Sequence, residues 1–337
     1  MSWSTWFSKE EPRQPGRPTL RSVRFDTTGW RVDKKTPDSI EWRDLDGDVC
    51  IAQLVRIEAE ATVPPSSLTE ARVSFRTAAA PRKGGIVSVE QTDCHGILLT
   101  KAITKFEDLP AYTYEGTLEI PLRKATYTLS LMADEHGTTG TREAVTTAHL
   151  FQLGELKIPA GGPPGVRRKL DGWFRDPYDA AYQGPTLHSL SDDERLDTLF
   201  PKHPLSKIRL WFAKIEETLS VDDDVRRDST RSIPGASNTG TADHTPHRMS
   251  AFAIGMLYME AGRFDLAERF FTEAIPLQGG EPPPDDVGVA RKLMCLGLVR
   301  EYQTKGVEAE WSFEAVGNRA GSKKALARAE SILRKHV

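Results

Sequence analysis

From about Arg21 to Leu131 the apolar residues of this 337-residue chain recur with a period of two, and from Leu205 onward they recur at three- and four-residue steps. A period of two puts successive side chains on opposite faces of a strand, whereas three-and-four spacing lines one face of a helix. The chain is therefore expected to be α+β, an N-terminal antiparallel-sheet α/β sandwich followed by a C-terminal all-helical domain. Residues 112–121 carry the pattern best, with Tyr114, Gly116, Leu118 and Ile120 alternating with Thr113, Glu115, Thr117 and Glu119.

Trp30 and Val32, then Ile40 and Trp42, alternate with polar neighbours, and Asp46-Gly47 suits a tight hairpin leading into a returning strand at 48–57. A helix is expected over 68–80, strands over 85–93, 96–106, 112–121 and 125–133, and a helix over 141–152. The short separations between those strands require antiparallel pairing, since parallel crossovers need about a dozen residues or more. The Pro/Gly-rich run 158–165 marks a boundary, because neither helix nor central strand continues through it. The expected layout is a flexible tail at 1–19, a sandwich domain at 20–157 and a linker at 158–200. A helical domain follows at 201–337, with a polar, flexible loop at 221–248. Trp173, Phe174 and Tyr178 make the linker too apolar to be free, so it is expected to pack on the domains.

Composition removes several function classes. Lys and Arg number 45 against 48 Asp and Glu, a net charge of -3, which argues against a nucleic-acid binder. No apolar run approaches the roughly 18–20 residues of a membrane span. The first residues lack the apolar stretch of a secretion signal, and Cys50, Cys94 and Cys295 show no disulfide or metal-ligand spacing. The expectation is a cytoplasmic protein with no cofactor.

Residues 251–277 read AFAIGMLYMEAGRFDLAERFFTEAIPL. The stretch resembles a tetratricopeptide (TPR) unit, a helix–turn–helix of about 34 residues. Ile254, Gly255 and Tyr258 hold the packing positions of the first helix, Gly262 the turn, and Phe264, Ala267, Phe271 and Ala274 those of the second. Leu296-Gly297 begins a poorer copy, with Arg300 where a Tyr is expected. Helices at 205–219 and about 325–336 would complete the stack. Met249, Phe252, Met256 and Met259 form a further stripe on the face that lines the groove in TPR proteins, and Arg291, Met294, Leu298 and Glu301 occupy the matching face of the following helix. Three of the chain's six methionines lie on the 249–259 stripe, and Met-rich grooves suit peptide binding. The same stripe also fits core packing against the 205–219 helix.

The order of elements at 20–152, hairpin, helix, four-strand meander and helix, is similar to the Mog1/PsbP-like α/β sandwich, whose members serve as protein-binding modules. Asp44, Asp46 and Asp48 suggest calcium, but Gly47 comes fourth where an EF-hand loop needs it sixth, so a hairpin turn is expected. His244 and His247 sit in the polar loop with no third ligand nearby, and no metal is expected there. Cys94 and His95 are neighbours in a turn and point apart.

The residues thus point to a non-catalytic bacterial adaptor, chaperone or immunity-like protein that holds another protein or peptide in a TPR-like groove. A homodimer through that groove fits equally. The alternative is a small-ligand-binding or enzymatic α+β domain regulated by the helices, with Cys94, His95, Asp134 and His136 near strand ends.

Overall fold

The computed structural model describes residues 18–56, 67–108, 111–123, 125–135, 140–156, 173–229, 248–275 and 287–303. The early elements are β1 (Val23–Arg24), β2 (Arg31–Lys35), β3 (Ser39–Arg43), β4 (Val49–Arg56) and α1 (Leu68–Ala79). Next come β5 (Gly85–Cys94), β6 (Ile97–Asp108), β7 (Ala111–Pro121), β8 (Ala125–Asp134) and α2 (Thr141–Leu153). The remainder are α3 (Pro204–Thr218), β9 (Ser220–Val221), α4 (Asp223–Asp228), α5 (Ala251–Glu260), α6 (Phe264–Glu273) and α7 (Val287–Tyr302). These elements mix a large antiparallel sheet with helices, most of the helices lying in the C-terminal part, as the change of period predicts. None of the described helices is long and apolar enough to cross a membrane.

The described residues fall into two compact units. The sheet unit takes 18–135, Asp176–Leu187 and 207–229, and the helical unit takes 140–156, 173–175, 188–206 and 248–303.

Seven antiparallel strands in the order β2-β3-β4-β8-β7-β6-β5 make the main sheet. Register explains its buried face. Cys50, Ala52 and Leu54 lie beside Leu131, Leu129 and Tyr127, which lie beside Gly116, Leu118 and Ile120. All nine are buried, while the alternate residues of β8 are half-buried or exposed. The 207–218 part of α3 covers this face. A Cβ on Gly116 would stand 2.5 Å from Ile208 Cγ2 and 3.0 Å from Phe212 Cζ, so the missing side chain is what lets the helix approach. On the other face, Ala71 and Phe75 of α1 pack on Ile86, Val89 and Ala102. Ser67 starts α1 as its N-cap, its Oγ accepting from the Glu70 amide at 3.2 Å.

In the helical unit, α5 and α6 form a tight antiparallel pair turning at Gly262, with α2 against α5 and α7 against α6. Residues 252–259 of α5 are all buried. Leu150, Trp173, Leu196, Phe270, Phe271, Leu293 and Val299 complete the core around them. Arg142 of α2 is fully buried and spent on structure. It donates to the carbonyls of Ser191 (2.6 Å) and Asp193 (2.8 Å), to Asp197 (2.9 Å) and to Ser206 Oγ (2.8 Å).

Composition alone sets the boundaries differently at three places. The 141–152 helix, expected to close the sandwich, groups with the helical unit, because Leu150 joins its core and His149 Nε2 bonds the Ala253 carbonyl at 3.0 Å. The 205–219 helix, expected to flank the TPR-like stack, instead lays Ile208 and Phe212 on the sheet from residue 207 onward. The start of the expected loop is ordered: β9 pairs with β1, and α4 follows. Residues 1–17 of the expected tail, residues 230–247 of the expected polar loop and the 325–336 helix lie outside the described residues, as do Arg167, Arg168 and Lys169.

Candidate functional site

A cleft opens on the α3 face of the sheet, within the sheet unit. Its floor is Cys50 of β4, Leu131 of β8 and Ile215 of α3. Its walls are aromatic, Phe25, Trp30, Trp42 and Trp211, and Asp26, Thr27 and Lys214 form the rim. The space is small, about 290 Å³ including the part open to solvent.

Local bonds hold this arrangement. β1 pairs with β9 (Val23 with Val221, Arg24 with Ser220), which ties the segment before the cleft to the chain just after α3. Arg24 bonds Asp222 at 2.7 Å, and the Asp26 amide donates to Thr218 Oγ1 at 3.0 Å. Gly29, at φ +93°, then turns the chain so that the Trp30 amide bonds the Thr27 carbonyl at 3.0 Å. Trp30 meets Trp211 edge to face, centroids 4.9 Å apart at 67°, and Phe25 meets Trp42 at 5.8 Å and 66°. Phe25 is buried, and the three tryptophans are partly buried and line the cleft.

The rim is a charged pair. Lys214 Nζ lies 3.0 Å from Asp26 Oδ2 and donates to the Thr28 carbonyl at 3.1 Å. Asp26 Oδ1 accepts from the Thr28 hydroxyl at 2.6 Å and the Thr28 amide at 2.8 Å. Those two bonds, the hydroxyl first, together with Lys214 pull the Asp26 carboxyl down to about 2. Beneath the walls, burial raises the Cys50 thiol well above its ordinary range, so it is an inert floor.

Of the eight residues expected to line a peptide groove, the five whose side chains are described are buried. Met249, Phe252, Met256, Met259 and Leu298 are 4%, 8%, 2%, 0% and 6% exposed, and the Cys295 thiol lies 3.8 Å from the Met256 sulfur. The stripe is core. Arg291, Met294 and Glu301 belong to α7, but their side chains lie outside the described residues. The packing positions do come together. Ile254, Gly255, Tyr258, Phe264, Ala267 and Phe271 are buried, Ala274 packs against them partly buried, and Gly262 turns the chain at φ +73°. The Gly255 position lies so close to Phe271 that a Cβ would approach its ring to 2.6 Å.

The alternative set does not converge either. Cys94 pairs with Ile97 at one end of β5, whereas Asp134 pairs with Thr113, whose neighbour Phe106 lies at the opposite end of β6. Burial, then Glu216, raises the Cys94 thiol, whose Sγ donates to the Glu216 carbonyl at 3.5 Å. Exposed His95 occupies the hairpin at φ +55°, and His136, His244 and His247 lie outside the described residues. The oxygens of Asp44, Asp46 and Asp48 are near enough to share a cation. The ammonium of Lys207 already stands there, 2.6 Å from Asp46 and 2.8 Å from Asp48.

The cleft has no local sequence signature. Trp30 and Trp42 read as strand positions and Trp211 as a helix position, and contacts such as Asp26 to Thr218 span 192 residues. The shared residue type at Trp30, Trp42 and Trp211 was the available signal. Comparison with known protein families and with curated proteins finds no match for the chain.

Proposed function

We propose that this chain is a non-catalytic binding protein whose recognition site is the aromatic cleft of the sheet unit. One observation carries the reading: three partly buried tryptophans line a concavity with a fixed charged pair at its mouth. Ligand clefts combine apolar and aromatic walls with a few placed polar groups. The buried thiols of Cys50 and Cys94, raised by that burial, offer no ready nucleophile, which favours binding over thiol catalysis. Adaptor or chaperone work through a methionine groove loses support, because its side chains fill the core. The TPR-like pair α5–α6 then serves as a packed scaffold.

The test is a ligand screen by intrinsic tryptophan fluorescence on wild type and Trp211→Leu. Saturable quenching in wild type that weakens at least about tenfold in the variant supports the reading. Quenching that is equal in both proteins places the ligands elsewhere and sinks it.

A further inference from the structure

The sequence holds two Asp-Gly pairs, Asp46-Gly47 and Asp171-Gly172, and the second lies outside the described residues. An aspartyl residue followed by glycine can close on its own backbone, because glycine has no side chain to shield its amide nitrogen from the neighbouring carboxyl carbon. At Asp46-Gly47 the structure exposes both groups. The Asp46 side chain is 61% exposed, and a Cβ on Gly47, at φ +91°, would meet nothing within 4 Å. The Gly47 amide reaches the Asp44 carbonyl only at 3.4 Å, beyond the usual span of such a bond, so its nitrogen is lightly held.

One contact opposes closure. Lys207 Nζ stands 2.6 Å from Asp46 Oδ2, and the same ammonium is anchored 2.8 Å from Asp48 Oδ2, whose side chain is 1% exposed. The Asp46 carboxyl must leave this ammonium before its carbon can turn onto the Gly47 nitrogen. While paired it is a carboxylate, which acylates far less readily than the neutral acid.

We propose that Asp46 is a site of spontaneous isomerisation to isoaspartate and that Lys207 is the brake on it. The Gly47 nitrogen attacks the side-chain carboxyl carbon of Asp46. A C–N bond forms, a C–O bond breaks, and the hydroxyl of the neutral acid leaves with the amide proton as water. Water then opens the five-membered succinimide ring, at the side-chain carbonyl to restore Asp or at the main-chain carbonyl to leave isoaspartate. The second product carries one more carbon in the backbone. In this turn the Asp44 carboxylate accepts from the Asp46 and Asp48 amides at 2.9 and 3.0 Å, and the Asp44 amide bonds the Asp48 carbonyl at 3.1 Å. A longer backbone breaks that set beside the cross-strand pairs Arg43–Val49 and Trp42–Cys50, so the change reaches a wall and the floor of the cleft.

The test ages the full-length protein at neutral pH and reads isoaspartate at position 46 by peptide mapping and by labelling with an isoaspartyl methyltransferase. A synthetic peptide of residues 40–52 gives the unconstrained rate. The isomer is expected to form more slowly in the wild type than in the peptide, at least about threefold faster in Lys207→Met than in the wild type, and at the wild-type rate in Lys207→Arg. A second measurement needs no variant to fold: salt weakens an exposed ion pair, so the rate in the wild type should rise from low to high salt while that of the peptide does not. Equal rates in the wild type and Lys207→Met, with no response to salt, overturn the brake. Equal acceleration in the Met and Arg variants assigns the effect to a loosened turn and overturns it too. No isoaspartate at position 46 in any full-length protein, beside a peptide that forms it, removes the site.

Discussion

At the scale of single residues, the Arg195–Asp193 pair is the strongest test of how the helical unit is held. The Asp193 side chain is 0% exposed and that of Arg195 is 16% exposed. The guanidinium meets the carboxylate twice, at 2.9 and 2.6 Å, and also donates to the Met249 carbonyl at 2.6 Å. Burial alone would raise the Asp193 carboxyl, but the bonds and charge of Arg195 outweigh it and hold the group below the ordinary carboxylate range. Because the folded value is depressed, its stabilisation is complete above the unfolded value, near 3.9, and fades as pH falls through the folded one. Arg195→Leu leaves a buried carboxylate unpaired and is expected to cost about 3–5 kcal/mol at neutral pH in urea unfolding. Burial then raises Asp193 in the variant, so lowering the pH to about 4 protonates it and relieves part of the loss. A deficit that stays constant between those pH values contradicts the account. Gly255→Ala tests packing in the same unit. Alanine gains up to about 1 kcal/mol of helix propensity, but its Cβ meets the buried Phe271 ring at 2.6 Å, and overpacking costs about 1–3 kcal/mol. Net destabilisation by thermal melting is expected, and a rise in Tm would show that the ring gives way freely.

At the scale of elements, the edges of the sheet show how the fold protects itself. β2, at one edge, is exposed along its length and reads Arg-Val-Asp-Lys-Lys, a charged strand that resists pairing with another chain. β5, at the other, is covered by the 176–187 segment. The Tyr178 hydroxyl accepts from the Val89 amide at 2.7 Å and donates to the Val89 carbonyl at 3.2 Å, filling both ladder positions at once. Arg72 stacks over the Tyr178 ring at 3.7 Å, and Arg76 grips Asp176 at 2.9 and 2.8 Å. Tyr178→Phe removes only the hydroxyl and leaves two backbone groups unsatisfied, a loss of about 1–3 kcal/mol. Hydrogen exchange at the Val89 amide should quicken while α1 keeps its protection; unchanged exchange would mean that water replaces the hydroxyl without cost. Strand and helix positions were legible here because alternation in β7 and β8 and the cap at Ser67 are local signals. The guard role of Tyr178 was not, since its partner lies 89 residues away. The methionine stripe misled for a related reason. α5 is apolar on every side from Phe252 to Met259, the mark of a buried helix, and any stripe drawn on such a helix resembles a groove face.

At the scale of the whole molecule, the units are interleaved along the chain rather than laid end to end. The sheet unit is completed by Asp176–Leu187 and by residues from 207 onward, which follow long stretches of the helical unit. Composition could not reveal this, because the Pro/Gly run at 158–165 reads as a boundary in the sequence, yet the described residues on either side of it, 140–156 and 173–175, belong to one unit. A fragment ending at residue 157 therefore lacks Ile208, Phe212 and Ile215, 0%, 5% and 4% exposed in the intact chain, as well as the Tyr178 guard. Each such side chain is worth about 1.5–3 kcal/mol of burial, so the three together rival the roughly 5–15 kcal/mol that holds a typical domain folded. The bared face, with Gly116, Leu118 and Leu131 along its centre, would be a continuous apolar surface. Fragment 1–157 is expected to aggregate or melt without a cooperative transition, whereas 1–229 retains every described piece of the sheet unit and with it the cleft walls at Trp30, Trp42 and Trp211. A soluble 1–157 fragment with a sharp melting curve would show that the sheet and α1 suffice, and that α3 is an addition to a domain already complete without it.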